Sequence, residues 1–519
     1  MARRYFHWKD KPSLLFHPYT GPGRRSEGTP MNDAVTRSAP PSNMGPIDFE
    51  TDVGPLPLKG ALPAGLRGTL VRNGPNPVAP DPRAHWFAGD GMLHAFHIAD
   101  GAVHYRNRWV RTQRWQATVE GQERRRVGFQ STEGEAPKRE DDGTGNTNVI
   151  GHAGRMLALE EAHLPIELTL PGLDTLGATD LDGRLHGSFT AHPKTDPRTG
   201  ELLFFGYGTP APLSAGMSFG ALAADGRVTR FESFEAPYAS MVHDFMVTEG
   251  HVMFPIMPIT ASLERAQQGR PPYAWEPEFG TRVGLMPRGG SSADIVWWRG
   301  PACYVFHVMN AWEADGSLYA DVMQFDTPPL FPRPDGSPIG AGDPPARLVR
   351  WQFELANPAR EFTRTVLDPR PGEFPRIDDR FAGLPYRHGW YVLRDDEGPT
   401  EARRNFAGLA HVDHANGERG IYKLPAPDTM SEAVFVPRSA QAEEGDGWLL
   451  ATIWRGASNT SELAVFDARA VANGPLCTAA LPHRVPVGFH GNWFDAEGSV
   501  PGAAVRADAQ PTVRFGASS

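Results

Sequence analysis

Four histidines offer this sequence its clearest chemistry. His192 opens a Pro-Lys-Thr-Asp-Pro turn followed by an apolar run within SFTAHPKTDPRTGELLFFGYG, residues 188–208. His243 stands in Met-Val-His-Asp-Phe, His307 in Val-Phe-His-Val-Met and His490 in Gly-Phe-His-Gly-Asn. Neutral imidazole is a donor suited to iron, copper, nickel or zinc. A single histidine is more often an ordinary turn or core residue, so a metal reading needs partners. The intervals of 51, 64 and 183 residues fit one ligand per structural unit of roughly 60 residues, with two units passed over. A β-propeller produces this pattern, because the inner ends of its radial blades converge on one axis. Other histidines, His85, His94, His411 and His414 among them, compete for the role on residue type alone.

Carboxylates supply the second half of a metal site, since a ligating imidazole usually donates its other ring N–H to a carboxylate or a carbonyl. Glu161 in Leu-Ala-Leu-Glu-Glu, Glu373 in Gly-Glu-Phe-Pro-Arg and Glu432 in Ser-Glu-Ala-Val-Phe lie in apolar or turn settings where a charge is costly without a partner. Each, taken singly, also reads as a surface glutamate.

The elements that must position these residues read as β-structure. From about Pro46 onward, short apolar runs are divided by Asp-Gly turns at Asp100, Asp182, Asp225, Asp315, Asp335 and Asp446. Strands are expected over residues 103–110, 202–205, 252–254, 296–298, 304–308, 449–454 and 463–466. Helical patterns are short, at 262–268, closed by Gly269, and at 400–405. The Pro/Gly-rich stretch 327–345 reads as a long surface loop rather than a linker. Residues 1–45, rich in Arg, Ser, Pro and Gly, read as an extension without fixed structure, and residues 46–519 as one domain. Met31 is a candidate start.

Composition narrows the class. A net charge of −10 argues against a nucleic-acid surface, and no apolar run is long enough for a transmembrane segment. Two cysteines, Cys303 and Cys477, are too few for a disulfide framework and fit a reducing cytoplasm.

A series of motifs then carries a resemblance. Arg72-Asn-Gly-Pro-Asn-Pro, His85-Trp-Phe-Ala-Gly-Asp-Gly-Met-Leu-His, Asn146-Thr-Asn-Val, Ala191-His-Pro-Lys-Thr-Asp-Pro, Met241-Val-His-Asp-Phe, Asn310-Ala-Trp-Glu, Glu373-Phe-Pro-Arg-Ile-Asp, Val434-Phe-Val-Pro-Arg and Phe489-His-Gly occur in this order. Together they resemble the carotenoid cleavage oxygenase family over nearly the whole chain after about residue 46. The resemblance implies an all-β, seven-bladed β-propeller with a small loop and short-helix cap over the iron face. It implies Fe(2+) held by His192, His243, His307 and His490, with Glu161, Glu373 and Glu432 behind them. The reaction it implies is oxidative cleavage of a conjugated C=C bond by O2 to two carbonyl products.

Within the family, Phe254-Pro-Ile-Met-Pro, Tyr273-Ala-Trp-Glu-Pro and Gly284-Leu-Met-Pro-Arg are similar to bacterial members acting on lignostilbenes and isoeugenol. Leu481-Pro-His-Arg-Val-Pro is also similar to apocarotenoid-cleaving members, which keeps a carotenoid substrate as the alternative. The lignostilbene pattern matches Phe87, but places a lysine where Glu160 stands and a tyrosine within residues 109–129, where this chain offers Trp109 or Phe129. One expectation is that Glu160 accepts a hydrogen bond from a substrate phenol while Phe87 and one of those two aromatics sandwich its ring. The other is that strand alternation turns Glu160 to solvent beside Glu161. The expected reactants are O2 and a small hydrophobic or phenolic alkene. Two other classes are a propeller binding module, without stoichiometric iron or O2 consumption, and a propeller hydrolase active without oxygen.

Deleting residues 1–29, so that synthesis starts near Met31, is expected to leave melting temperature and activity unchanged; a large fall in melting temperature would show that the segment packs on the domain.

Overall fold

The computed structural model describes residues 43–81, 84–121, 141–340, 345–395 and 406–496. Within them seven antiparallel sheets form the blades of a β-propeller. Five blades, the second to the sixth, take their strands in chain order. The second comprises Asn148–His152, Arg155–Leu159, Ile166–Leu168 and Thr175–Ala178, and the third Lys194–Thr195, Leu202–Tyr207, Gly216–Leu222 and Val228–Glu235. The fourth begins with Met246–Val247, the fifth with Tyr304–Ala314 and the sixth with Gly372–Ile377. The seventh has Thr429–Met430 and Val434–Pro437 at its inner edge, against Gly447–Arg455.

Two strands from opposite ends of the chain close the ring. Gly491–Asp495 pairs with Gly68–Pro75 as the innermost strand of the first blade. Leu58–Gly60 pairs with Cys477–Ala480 at the outer edge of the seventh. The closure is packed as well as hydrogen-bonded: Trp493 joins Leu66, Leu70, Trp448 and Leu450 in one apolar cluster. Each pairing covers a strand edge that would otherwise lie open. Gly74 and Gly488 complete the seam, because a Cβ on Gly74 would sit 2.5 Å from the Gly488 Cα.

Each strand expected from sequence is present, and the reason is the burial pattern. Leu202–Tyr207, Gly216–Leu222 and Ser317–Phe325 are buried almost throughout, so they read as continuous apolar runs between neighbouring blades. The outer strand Val228–Glu235 alternates instead. The helix expected at 262–268 spans Leu263–Gln267, capped by the Ser262 side chain on the Arg265 N–H. A second helix, Gln113–Val119, was not legible; Thr112 caps it. The helix expected at 400–405 and most of the N-terminal extension lie outside the described residues. Asn43, within that extension, is buried and donates to the Val485 carbonyl at 2.8 Å. No helix among the described residues is long and apolar enough to cross a membrane.

Trp493→Ala is expected to cost about 3–5 kcal/mol by denaturant titration, as for truncation of a large buried aromatic. A wild-type denaturation midpoint would show that closure does not depend on this contact.

Candidate metal centre

The four histidines meet on the propeller axis because each lies at the inner strand of a different blade. His192 precedes Lys194–Thr195, His243 precedes Met246–Val247, His307 lies within Tyr304–Ala314 and His490 immediately precedes Gly491–Asp495. The three remaining blades supply the glutamates. Glu161 follows Arg155–Leu159 of the second, Glu373 lies in Gly372–Ile377 of the sixth, and Glu432 lies between the two inner segments of the seventh. Seven blades thus deliver four histidines and three glutamates, one from each. Register shifts between Val305 and Val308 and between Glu373 and Arg376 re-aim His307 and Glu373.

One ring nitrogen from each histidine lies within 4.8 Å of the other three, and all four residues are buried. His192 Nε2 is 3.0 Å from His243 Nε2, and His307 Nε2 is 3.1 Å from His490 Nε2. Behind three of them stand the carboxylates. His243 Nδ1 bonds Glu161, whose other oxygen accepts from the Tyr207 hydroxyl at 2.5 Å. His307 Nδ1 bonds Glu373 at 2.5 Å, and His490 Nδ1 bonds Glu432 at 3.0 Å. With Nδ1–H donated backwards, each of these imidazoles presents an Nε2 lone pair to the axis.

Burial pushes His192 well down and His490 down to about 4, the latter despite Glu432, so both stay neutral. For His307, burial acts downward but the Glu373 charge prevails and raises it. Glu432 is held down to about 2: burial works against ionisation, and Arg376, His490 and the Gly491 N–H overcome it.

A hydrogen-bonded circuit ties these strands together immediately beside the ligands. Asp244 accepts from Lys194 at 2.7 Å and from the Val308 N–H at 2.9 Å, linking the strands of His192, His243 and His307. Asn148 donates to the Ala191 carbonyl, beside His192, and its side-chain oxygen meets Asn492. Arg376 donates to the Gly491 carbonyl and to Asn492, returning the circuit to the sixth blade. Phe374 adds a packed wall. Its φ of 56° is costly for a non-glycine residue, and its ring stacks on His307 at 5.3 Å and meets His490 edge-on at 5.4 Å.

The residues expected at the substrate end fare differently. Phe87 lies in the short turn Trp86–Ala88, its ring 5.3 Å from that of Phe489, the neighbour of His490. Glu160 is not turned to solvent. The strand ends at Leu159, so alternation no longer governs, and the Glu160 side chain is 14% exposed and bonded to His163 Nδ1. Trp109 is a packing residue: it joins Ile47 and Met92 in an apolar cluster, and its indole N–H donates to the Asn76 carbonyl at 2.9 Å. Phe129 lies outside the described residues.

Asp244, Tyr207, Arg376, Asn148 and His163 were not singled out from sequence. Asp244 and Arg376 stand inside the motifs around His243 and Glu373, and Asn148 inside Asn146-Thr-Asn-Val, so the signal was present for three of them. Tyr207 stands in the 188–208 stretch around His192 without a motif of its own, and His163 was legible only as one rival among the histidines.

A convergent set of imidazole nitrogen donors with carboxylates behind it, on the axis of a seven-bladed propeller, defines a metal-dependent propeller enzyme. The profile of the retinal pigment epithelial membrane protein family matches residues 44–495. The chain therefore belongs to that family, the carotenoid cleavage oxygenases, oxidoreductases that incorporate O2. It is 37% identical over 458 residues to isoeugenol monooxygenase of Pseudomonas nitroreducens, covering 86% of this chain and 96% of that protein. It is 33% identical over 469 residues to lignostilbene-α,β-dioxygenase isozyme III of Sphingomonas paucimobilis, covering 87% and 96%. The crystal structure of Pseudomonas brassicacearum lignostilbene dioxygenase superposes with a TM-score of 0.81 at 35% identity, covering 88% of this chain and 98% of that one.

Replacing any of His192, His243, His307 or His490 by alanine is expected to lower metal content and abolish turnover, and full metal retention would remove that residue from the site. Asp244→Asn, and Glu161→Gln, Glu373→Gln or Glu432→Gln, are expected to cost about 10–100-fold in metal affinity by competition titration. Wild-type affinity in all four would dissolve the supporting circuit.

Proposed function

We propose that the protein is a non-haem Fe(II) dioxygenase that cleaves the conjugated C=C bond of a phenylpropanoid or stilbene-type alkene to two carbonyl products. The observation that carries the reading is the donor set: four buried imidazoles with no carboxylate among the ligands. Neutral ligands leave a divalent ion its full charge and, in an octahedral arrangement, two further positions. Among metals, imidazole donors suit iron; when bound, Fe(II) would supply the electrons for activating O2 beside the alkene.

The chain's own groups divide the remaining work. Glu161, Glu373 and Glu432 take the Nδ1 protons of three imidazoles in hydrogen bonds and so aim their Nε2 atoms at the axis. Phe374, Phe489 and Phe87 give one side of the site an apolar, aromatic wall, suited to a flat conjugated substrate. Glu160, fixed by His163, supports the phenolic reading. A carboxylate held in a largely buried position accepts a hydrogen bond from a 4-hydroxyl group and draws the phenol toward phenolate. That makes the attached alkene electron-rich enough to react with O2. Both cysteines are free and buried, which is consistent with the cytoplasm as the place of action.

The test is product analysis with heavy-isotope O2 against 4-hydroxystyrenes, 4-methoxystyrenes, stilbenes and apocarotenals. The expected result is label in the carbonyl products and preference for the 4-hydroxy compounds. Glu160→Gln should lower kcat/KM for those by about 10–100-fold, the worth of one hydrogen bond to a charged group. Cleavage of apocarotenals alone, or equal rates for hydroxy and methoxy compounds with an inert Glu160→Gln, would make the substrate an apocarotenoid. Turnover without O2 would restore the hydrolase.

A further inference from the structure

A cavity of about 200 Å³ runs along the propeller axis and is lined at its inner end by His192, His307, His490 and Glu432. It extends along the strands that lead away from the ligands, past Lys194 and Asp196 on the third blade and Asp244 and Thr248 on the fourth, to Arg198 and Glu249. The side chains of those last two are 54% and 40% exposed, so the cavity reaches the surface there. Arg198 and Glu249 each stand six residues beyond a ligand, which sets the depth at no more than about 20 Å for extended chain.

One wall of this cavity carries a row of ion pairs between the third and fourth blades. Lys194 on its short strand, and Asp196 and Arg198 in the turn that follows, each meet an opposite charge on the fourth blade. Arg198 pairs with Glu249 at 2.5 Å, Asp196 with Arg288 at 2.6 Å, and Lys194 with Asp244 at 2.7 Å. Three ion pairs therefore descend in order from the mouth to the residue two positions from His192. Neither an alkene nor O2 gains from a passage lined with charges, and burying so many ionised groups beside a void is costly unless water fills it. A hydrated dication is the reactant that needs such walls. It cannot shed its water in an apolar passage, and here the carboxylates of Glu249, Asp196 and Asp244 line the wall. The partner base in each pair keeps any one rung from holding the ion.

We propose that this axial cavity is the route by which the divalent metal enters and leaves the four-histidine site, with Glu249 and Asp196 as successive oxygen donors. The proposal rests on the metal-centre reading, which one control isolates: metal-free wild-type protein should take up one Co(II) with a nitrogen-ligand absorption band, lost in His192→Ala. The route has a separate signature. A residue that shapes a passage changes entry and exit rates by the same factor and leaves Kd unaltered, whereas a residue that supports the site changes Kd.

The experiment is stopped-flow Co(II) uptake by the metal-free full chain, and chelator-driven release, in Glu249→Arg and Ala382→Trp. The first puts a second cation at the exposed mouth, and the second narrows the cavity with an uncharged ring from a partly buried lining position. Both rate constants are expected to fall together by about fivefold or more, with Kd unchanged. Wild-type rates in both variants would send the metal through another face, and a Kd that shifts with the rates would make these residues supports of the site. Either outcome overturns the proposal.

Discussion

Everything in this molecule depends on bringing four imidazoles nose to nose inside a buried site. At Nε2 separations of 3.0 and 3.1 Å, a proton on each of two facing nitrogens would set N–H against N–H inside a buried site. Burial is the largest of the effects that hold His192 and His490 neutral, but neutrality does not choose the tautomer. The glutamates do, by taking the Nδ1 proton of His243, His307 and His490 in hydrogen bonds. The propeller is a means of satisfying this requirement: seven inner edges arranged around a point, each contributing one side chain.

The three glutamates are then a burden of their own, since buried carboxylates must be compensated. The chain resolves each differently. Glu161 takes a tyrosine hydroxyl, Glu432 takes Arg376 at 3.4 Å and a backbone N–H, and Glu373 takes the N–H of Phe374. Its remaining oxygen, Oε1, is buried with no hydrogen-bond partner among the described residues. The three supported imidazoles therefore do not present equal basicity to the axis. His490 leans on a carboxylate partly neutralised by arginine, whereas His307 leans on one with less support and binds its proton more tightly as a result.

Much of this was legible in the sequence. The ligands were readable because a lone histidine in an apolar strand recurred at blade-sized intervals, and the long interval from His307 to His490 corresponds to the sixth and seventh blades, which supply Glu373 and Glu432 instead. The strands were readable because inner blade strands are buried on both faces. Glu160 was misjudged in its solvent-facing reading because alternation was carried one residue past the strand's end. The packing of Trp109 beside Ile47 and Met92, and its bond to Asn76, were not legible because an aromatic in a strand serves the core as readily as a pocket. The helix Gln113–Val119 was too short for periodicity to register, and the Asp244 contacts depend on registers between blades that no single segment encodes.

The closure of the ring also places the site in time. Three ligands leave the ribosome in the first 307 residues, while the fourth, together with the strand that seals the first blade, follows 183 residues later. At about 5–20 residues per second that interval lasts roughly 10–40 s, during which a three-histidine fragment exists and the finished centre does not. Selection of the correct ion is thereby deferred to the end of synthesis, when the geometry that discriminates among metals first comes into being.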